Sequence, residues 1–199
     1  MLWGGAQGGV EIRQDQDGAV QLVGRFPYQS ITILWDGGRT GQARKEQIAS
    51  RAFSKRISGD DDIHLLIGHD FDRPLASRSA GNLRITEADD ALSFSASISA
   101  KLRASPYVQD FLGALGAGLI RGLSPGFRVP DEPQSETVRS DAGGLLRTVN
   151  RADLFELSAV TVPAYPEAQI EARSWQIDTP PDAQNIGRLG FDPRARWRL

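Results

Sequence analysis

The chain has 199 residues, of which 40% are hydrophobic and 24% charged, and its net charge is −2 at pH 7. These values are typical of one soluble globular domain, and they give no overall field that would recruit nucleic acid or an anionic membrane. Cysteine is absent and there are two histidines, which excludes a thiol nucleophile, disulfides and metal sites built from cysteine or several histidines. These counts leave open a cation site built from carboxylates alone, but the sequence has no signature of one, and we expect no metal and no cofactor.

The chain is predicted to have a folded centre and two flexible ends. No apolar run approaches the roughly 18–20 residues that span a bilayer, and the first residues lack the regions of a secretory signal. We expect residues 1–9 to be a flexible N-terminus and residues 10–173 to form one domain. Residues 174–199 are predicted to be a basic, disordered tail, because Pro, Gln, Asn and Arg replace the periodic pattern there.

Strands dominate the first half of the predicted domain. Alternating apolar residues around Asp17-Gly18 predict a hairpin, followed by short extended pieces up to Trp35. Residues 44–58 are predicted to form a short amphipathic helix. The apolar run IHLLIGHD then predicts a buried strand that ends in a loop, FDRPLAS.

The clearest helix is predicted from Ser105 to about Leu119, with Ser105 as N-cap and Pro106 at the first helical position. A turn running into a strand, RGLSPGFRVP, follows it, and the polar residues 131–144 predict a loop or a weak hairpin. The last periodic segment, LLRTVNRADLFELSAVTVP, predicts strands with a turn near Asn150. We therefore predict a mainly β (α+β) fold, a small, mostly antiparallel β-barrel with peripheral helices.

The strongest local motif surrounds Ser124 in the segment GLSPG, which has the pattern G-x-S-x-G. Such a serine is either a nucleophile or part of a glycine-rich turn with a solvated hydroxyl. The motif is not the nucleophile elbow of α/β-hydrolases, because both histidines precede the serine. Pro125 also lacks the backbone N–H that the elbow contributes to its oxyanion hole.

A histidine and a glutamate complete the candidate set. His69 lies where the strand IHLLIGHD ends, a position that either presents a base or leaves a surface histidine hydrogen-bonded in a turn. His64 lies inside the strand, so we predict a structural role for it. Glu156 is the single carboxylate within the apolar run that extends from Leu154 to Val162. It either faces solvent without a function or faces His69 and fixes the imidazole tautomer, as the acid of a triad does.

Three segments in this order, HLLIGHDFDRPLAS, RGLSPGFRV and DLFELSAVTVPAYPEA, resemble the signature blocks of the phage prohead proteases. These are the capsid-maturation serine proteases of caudoviruses, distantly related to the herpesvirus assemblins, and the resemblance implies an assemblin-like barrel. Carried over by position, it makes Ser124 the nucleophile, His69 the general base and Glu156 the third member. Two residues depart from the pattern, Gly68 before the histidine and Pro125 after the serine.

The resemblance implies a serine endopeptidase that cleaves the major capsid protein, a scaffold protein or both during procapsid maturation. It places the enzyme in the bacterial cytoplasm, inside the assembling procapsid of a phage or of a phage-derived gene transfer agent. A homodimer is compatible with the relation to assemblins. For the oxyanion hole the candidates are the backbone amides of Ala164 or Tyr165, with Arg128 assisting through a water. The alternative is a non-catalytic capsid-assembly or scaffolding module on the same fold.

Overall fold

In the computed structural model of the chain, the described residues are 9–14, 19–39, 41–120 and 122–163, with side chains described from residue 19 onward. Twelve strands and three short helices make up this part of the chain. The strands are β1 (Gly9–Gln14), β2 (Val20–Pro27), β3 (Thr32–Trp35), β4 (Ala43–Ile48), β5 (His64–Ile67), β6 (Asp70–Ser77), β7 (Leu83–Glu87), β8 (Ala91–Ile98), β9 (Gly122–Arg128), β10 (Glu136–Asp141), β11 (Gly144–Val149) and β12 (Asp153–Val160). The helices are α1 (Ser54–Ser58), α2 (Ala100–Arg103) and α3 (Pro106–Gly116).

The strands form three four-stranded sheets with the orders β1-β2-β8-β7, β10-β11-β4-β3 and β6-β5-β12-β9. β4 pairs with β11 and β5 with β12 in parallel, whereas the other pairings in the described part of the chain are antiparallel. The predicted mainly β class is confirmed. These sheets do not close into one barrel within the described residues, so the barrel stays a prediction. Residues 1–8 and 164–199, which include the whole predicted tail, lie outside the described residues.

The helix predicted for residues 44–58 is wrong in its first half. Residues 43–48 are strand β4, and only Ser54–Ser58 is helical. Alternation explains the strand, because Glu46 and Ile48 are both buried and project from one face. Glu46 lies directly opposite Arg147 of β11, and the two form an ion pair with both side chains about fully buried. This long-range pairing has no signature in the local sequence.

Other predicted elements agree better with the structure. Helix α3 starts at Pro106 with Ser105 at the N-cap position, although the Ser105 hydroxyl donates to the carbonyl of Leu102 (2.7 Å) and makes no capping bond. The polar residues predicted as a loop or weak hairpin form the β10–β11 hairpin. The loop predicted for the segment FDRPLAS is wrong, because these residues belong to strand β6, which pairs antiparallel with β5 through an irregular register.

The third sheet, β6-β5-β12-β9, is anchored by one apolar face to the core. One leucine from each of β5, β9 and β12 is at most 1% exposed and belongs to the main core cluster. These are Leu65, Leu123 and Leu157. Phe127 of β9 extends this cluster toward Phe53 with a ring-centroid distance of 5.5 Å. Burial of such side chains contributes roughly 1.5–3 kcal/mol each. The opposite face of the same sheet is thereby held on a rigid support.

Candidate active site

Strands β9 and β12 bring the candidate serine and glutamate to one face of the third sheet. In their antiparallel pairing, Ser124 lies directly opposite Ser158, and Gly126 lies opposite Glu156. Directly opposed residues project from the same face, as do residues two apart along a strand. Ser124, Glu156 and Ser158 therefore share a face, while Leu157 between the last two points into the core.

His69 is presented by the tight turn that joins β5 to β6. Gly68 and His69 have φ values of 61° and 63°, the pattern of a two-residue type I′ hairpin turn between the paired residues Ile67 and Asp70. Histidine is one of the residues that tolerate this left-handed region better than most. The Gly68 N–H donates to the carbonyl of Ala159 (3.0 Å), which ties the turn to β12. The sheet therefore sets the position of the imidazole.

The imidazole of His69 meets the carboxylate of Glu156. Their atoms Nδ1 and Oε1 are 2.6 Å apart, with the histidine side chain 21% exposed and the glutamate 1% exposed. An isolated buried carboxylate is costly, and this one is compensated by His69 at Oε1 and by the Ser158 hydroxyl, which donates to Oε2 (2.6 Å). A carboxylate at Nδ1 favours the tautomer that carries its proton there. Nε2 is then left as an acceptor, which is the form that a general base requires.

Ser124 lies inside strand β9 and not in the turn that the sequence suggested. The residue is 3% exposed, and its Oγ has no hydrogen-bond partner within the described residues. A hydrogen bond from this hydroxyl to His69 is therefore not made in this structure. Buried hydroxyls usually find partners, so one without a partner marks a site of interest. Catalytic hydrogen bonds are often long before substrate binds and tighten in the complex.

Gly126 lies beneath the carboxylate of Glu156. A Cβ at this position would be 2.6 Å from Cδ and 2.8 Å from Cγ of Glu156, well inside van der Waals contact. The carboxylate thus reaches across β9 through the space that a side chain would occupy. The second glycine of the segment GLSPG is required by this contact.

We expect Gly126→Ala to displace the Glu156 carboxylate from His69. Overpacking of this kind costs about 1–3 kcal/mol in the free energy of unfolding. The hydrogen-bonded Nδ1–H proton should lose its low-field signal in the proton NMR spectrum. Gly113→Ala is the control, because a Cβ there meets nothing within 4 Å, and in helix α3 it should leave the signal unchanged and stabilise the fold. An alanine at position 126 that preserves both the signal and the stability would contradict this account.

The other candidate residues are placed as follows. The guanidinium of Arg128 lies over the ring of Phe155, 5.4 Å from its centroid, and Arg56 lies over the same ring at 4.7 Å. A contribution of Arg128 to an oxyanion hole stays a prediction. Ala164 and Tyr165, the candidate backbone donors, lie outside the described residues.

His64 has contacts separate from those of His69. Its Nε2 lies 3.6 Å from Oδ2 of Asp62, and its ring packs edge-on against Phe71 with centroids 5.9 Å apart. Burial raises the pKa of Asp62, but N–H donation from Ser79 and Ile63 and the proximity of His64 outweigh it and lower that pKa below its ordinary value. Although His64 lies beside Glu156 in the β5–β12 pairing, its ring contacts Asp62 and Phe71, whereas the Glu156 carboxylate contacts His69.

Ser158 is the residue of this site that the sequence analysis missed. It accepts a hydrogen bond from the backbone N–H of His69 (2.9 Å) and donates one to Glu156. Its position two residues after Glu156 in one strand places both side chains on the same face, which is the signal that the sequence offered. Nothing local shows that this face also carries the turn of His69.

Comparison with known families places the chain beside a group of phage enzymes. The model of a family described as caudovirus prohead serine protease matches residues 30–182, well over half of the chain, and this segment contains Ser124, His69 and Glu156. Comparison with curated proteins and with solved structures gives no significant match. Among the described residues, no helix has the length and apolar character needed to cross a bilayer, and no cluster of three or more acidic or histidine side chains is arranged for a metal ion.

Proposed function

The chain belongs to the family of the caudovirus prohead serine proteases, and on this premise we propose that it is a serine endopeptidase with Ser124 as nucleophile. His69 is its general base, and Glu156 orients the imidazole. The observation that carries the proposal is the 2.6 Å contact between His69 Nδ1 and Glu156 Oε1 on the sheet face that Ser124 shares. This contact joins a base to the carboxylate that orients it, and it favours the imidazole tautomer that can take the proton of a serine nucleophile.

The proposed reaction proceeds through an acyl-enzyme. Oγ of Ser124 attacks the scissile carbonyl carbon while Nε2 of His69 takes the hydroxyl proton. The imidazolium, stabilised by Glu156, then gives this proton to the leaving amine as the peptide C–N bond breaks. Water repeats the sequence in the second half, with His69 taking its proton, and releases the acid product and Ser124. Base catalysis of this kind contributes roughly 10²–10⁴ in rate.

The oxyanion of the tetrahedral intermediate needs donors other than the backbone that directly follows the nucleophile in strand β9. Pro125 follows the serine and has no N–H to give. We assign this role to the backbone amide of Ala164 or Tyr165, with Arg128 assisting through a bridging water. Such a donor contributes roughly 10²–10³ in rate.

The substrates that fit this family are the proteins of the immature capsid. We propose the major capsid protein, a scaffold protein or both, cleaved inside the assembling procapsid in the bacterial cytoplasm. The particle is that of a phage or of a phage-derived gene transfer agent. The support for this assignment is the family membership, because its members act on proheads.

A non-catalytic assembly module on the same fold is the second candidate function. Such a module does not need a carboxylate, an imidazole and a serine hydroxyl on one face of a sheet, whereas a serine nucleophile does. The pair lies on the same face as a buried serine hydroxyl without a described partner. This combination favours the enzyme.

The test is cleavage of purified capsid and scaffold proteins by the purified chain. We expect fragments with defined termini in mass spectrometry, and we expect a fluorophosphonate probe to label Ser124 in the same preparation. Failure of the folded protein both to cleave either substrate and to react with the probe would overturn the proposal.

Glu156→Gln is expected to reduce kcat by about 10⁴-fold, because an amide facing Nδ1 no longer selects the productive tautomer. Kinetics of peptide cleavage measure the effect. Glu132→Gln makes the same chemical change at a carboxylate whose side chain is 44% exposed, where it pairs with Lys55 and Arg151, and it should leave kcat unchanged. Activity of Glu156→Gln near that of this control would remove the glutamate from the proposed mechanism.

A further inference from the structure

We propose that Ser158 is a positioning residue of the active site, whose hydroxyl holds the backbone of His69 and the carboxylate of Glu156 in one fixed arrangement. The inference rests on the proposed function, since a base must act before its positioning matters. Ser158 makes no hydrogen bond to Ser124 Oγ, which has no such partner within the described residues. Among the groups to which the mechanism assigns chemistry, its hydroxyl is bonded to the Glu156 carboxylate.

Three hydrogen bonds close a ring through these residues. The His69 N–H donates to Ser158 Oγ (2.9 Å), the Ser158 hydroxyl donates to Glu156 Oε2 (2.6 Å), and Glu156 Oε1 meets His69 Nδ1 (2.6 Å). The serine is 0% exposed and the glutamate 1% exposed. Hydrogen bonds in such a site are stronger than in water, and a group left without its partner is correspondingly costly.

The ring restrains the imidazole from two sides. Through its backbone, His69 is held in the left-handed region with φ 63°, and its N–H is attached to a side chain of β12. The imidazole of His69 is hydrogen-bonded to Glu156, which lies two residues before Ser158 in β12. Because the backbone and the imidazole of His69 are both attached to β12, the direction in which Nε2 points can vary little.

The restraint acts next to the proposed nucleophile. Ser158 lies directly opposite Ser124 in the β9–β12 pairing, so the hydroxyl that holds the base and the hydroxyl that the base must activate are cross-strand neighbours. An error of about 1 Å in the position of a catalytic group costs roughly a hundredfold in rate. Loss of the Ser158 hydroxyl therefore acts on kcat through the geometry of His69.

Threonine and valine at position 158 separate this role from a merely structural one. The two side chains have nearly the same shape, both suit a strand, and only threonine retains the hydroxyl. We expect Ser158→Val to lower kcat roughly tenfold to hundredfold with KM changed by less than about twofold, and Ser158→Thr to restore most of kcat. Ser135→Ala is the control, because Ser135 is also buried and its Oγ has no partner within the described residues.

A second measurement does not depend on activity. In a Ser124→Ala background, the low-field NMR signal of the His69 Nδ1–H proton should be present with serine or threonine at position 158 and lost with valine. A folded wild-type protein that neither cleaves the substrates nor reacts with the fluorophosphonate probe would refute the proposed function, and the NMR signal would still report whether the Ser158 hydroxyl holds His69 and Glu156 together. Equal kcat and equal signals for the valine and threonine variants, at equal thermal stability, would overturn the inference. Should the valine variant not fold, Ser158→Ala takes its place, because it adds no atoms to the buried site.

Discussion

Ser124→Ala is expected to reduce cleavage of the capsid or scaffold substrate by about 10⁶-fold, the loss that follows when a serine nucleophile is removed from a working triad. The imidazole then has no hydroxyl to activate, and the remaining groups provide only binding and oxyanion stabilisation. The fold should be preserved. Because Oγ is buried without a described partner, its removal should leave the unfolding temperature unchanged or raise it.

Co-expression with the capsid and scaffold genes measures this prediction, with product analysed by mass spectrometry and stability by thermal unfolding. Ser135→Ala removes another buried hydroxyl that lacks a described partner, and we expect it to process substrate normally. Continued processing by the Ser124→Ala protein would assign the nucleophile to another residue.

His69→Asn is expected to be about as damaging as the loss of the serine, because members of a catalytic triad act as a unit and their losses do not add. Asparagine is the appropriate replacement, since it tolerates the left-handed conformation that the turn requires of this position. The fold should therefore survive while the base is lost. Combining this variant with Ser124→Ala should lower the rate little further.

His64→Gln is the matched control for the base, because it replaces the other histidine of the chain by an amide. His64 contacts Asp62 and Phe71, so we expect a small loss of stability and nearly full kcat. Steady-state kinetics and thermal unfolding of both histidine variants decide the matter. A folded His64→Gln protein without activity, beside an active His69→Asn protein, would reverse the assignment of the base.

The parts of the fold that could be predicted from sequence are those with a local signal. Helix α3 has Pro106 at its first position and apolar residues at helical spacing, and strand β12 has an apolar run interrupted by one carboxylate. Residues 44–58 misled the prediction, because their apolar residues also fit a helix. The burial of Glu46 against Arg147, about a hundred residues away in the chain, instead belongs to a strand pairing.

Three side chains of the candidate site could be singled out from the sequence, whereas their geometry and the participation of Ser158 could not. Ser124, His69 and Glu156 each stood out by residue type and by family resemblance. The strand location of Ser124 did not, because Pro125 and two glycines suggest a turn, whereas proline is tolerated on an edge strand such as β9. Ser158 has no local signal of its role, because that role depends on a hydrogen bond from a backbone N–H in the turn between two other strands.

The contact between Gly126 and Glu156 has a consequence for comparing members of this family. In the nucleophile elbow of α/β-hydrolases, glycines near the serine permit a sharp backbone turn. Here the glycine two positions after Ser124 leaves room for the side chain of Glu156, which reaches across from the neighbouring strand. Positions 126 and 156 are therefore expected to covary. Alanine should occur at position 126 only where position 156 has a shorter acid or no acid. A homologue with a bulky residue at position 126 should lack the acid at position 156. On the proposed mechanism, its rate of cleavage should be correspondingly low.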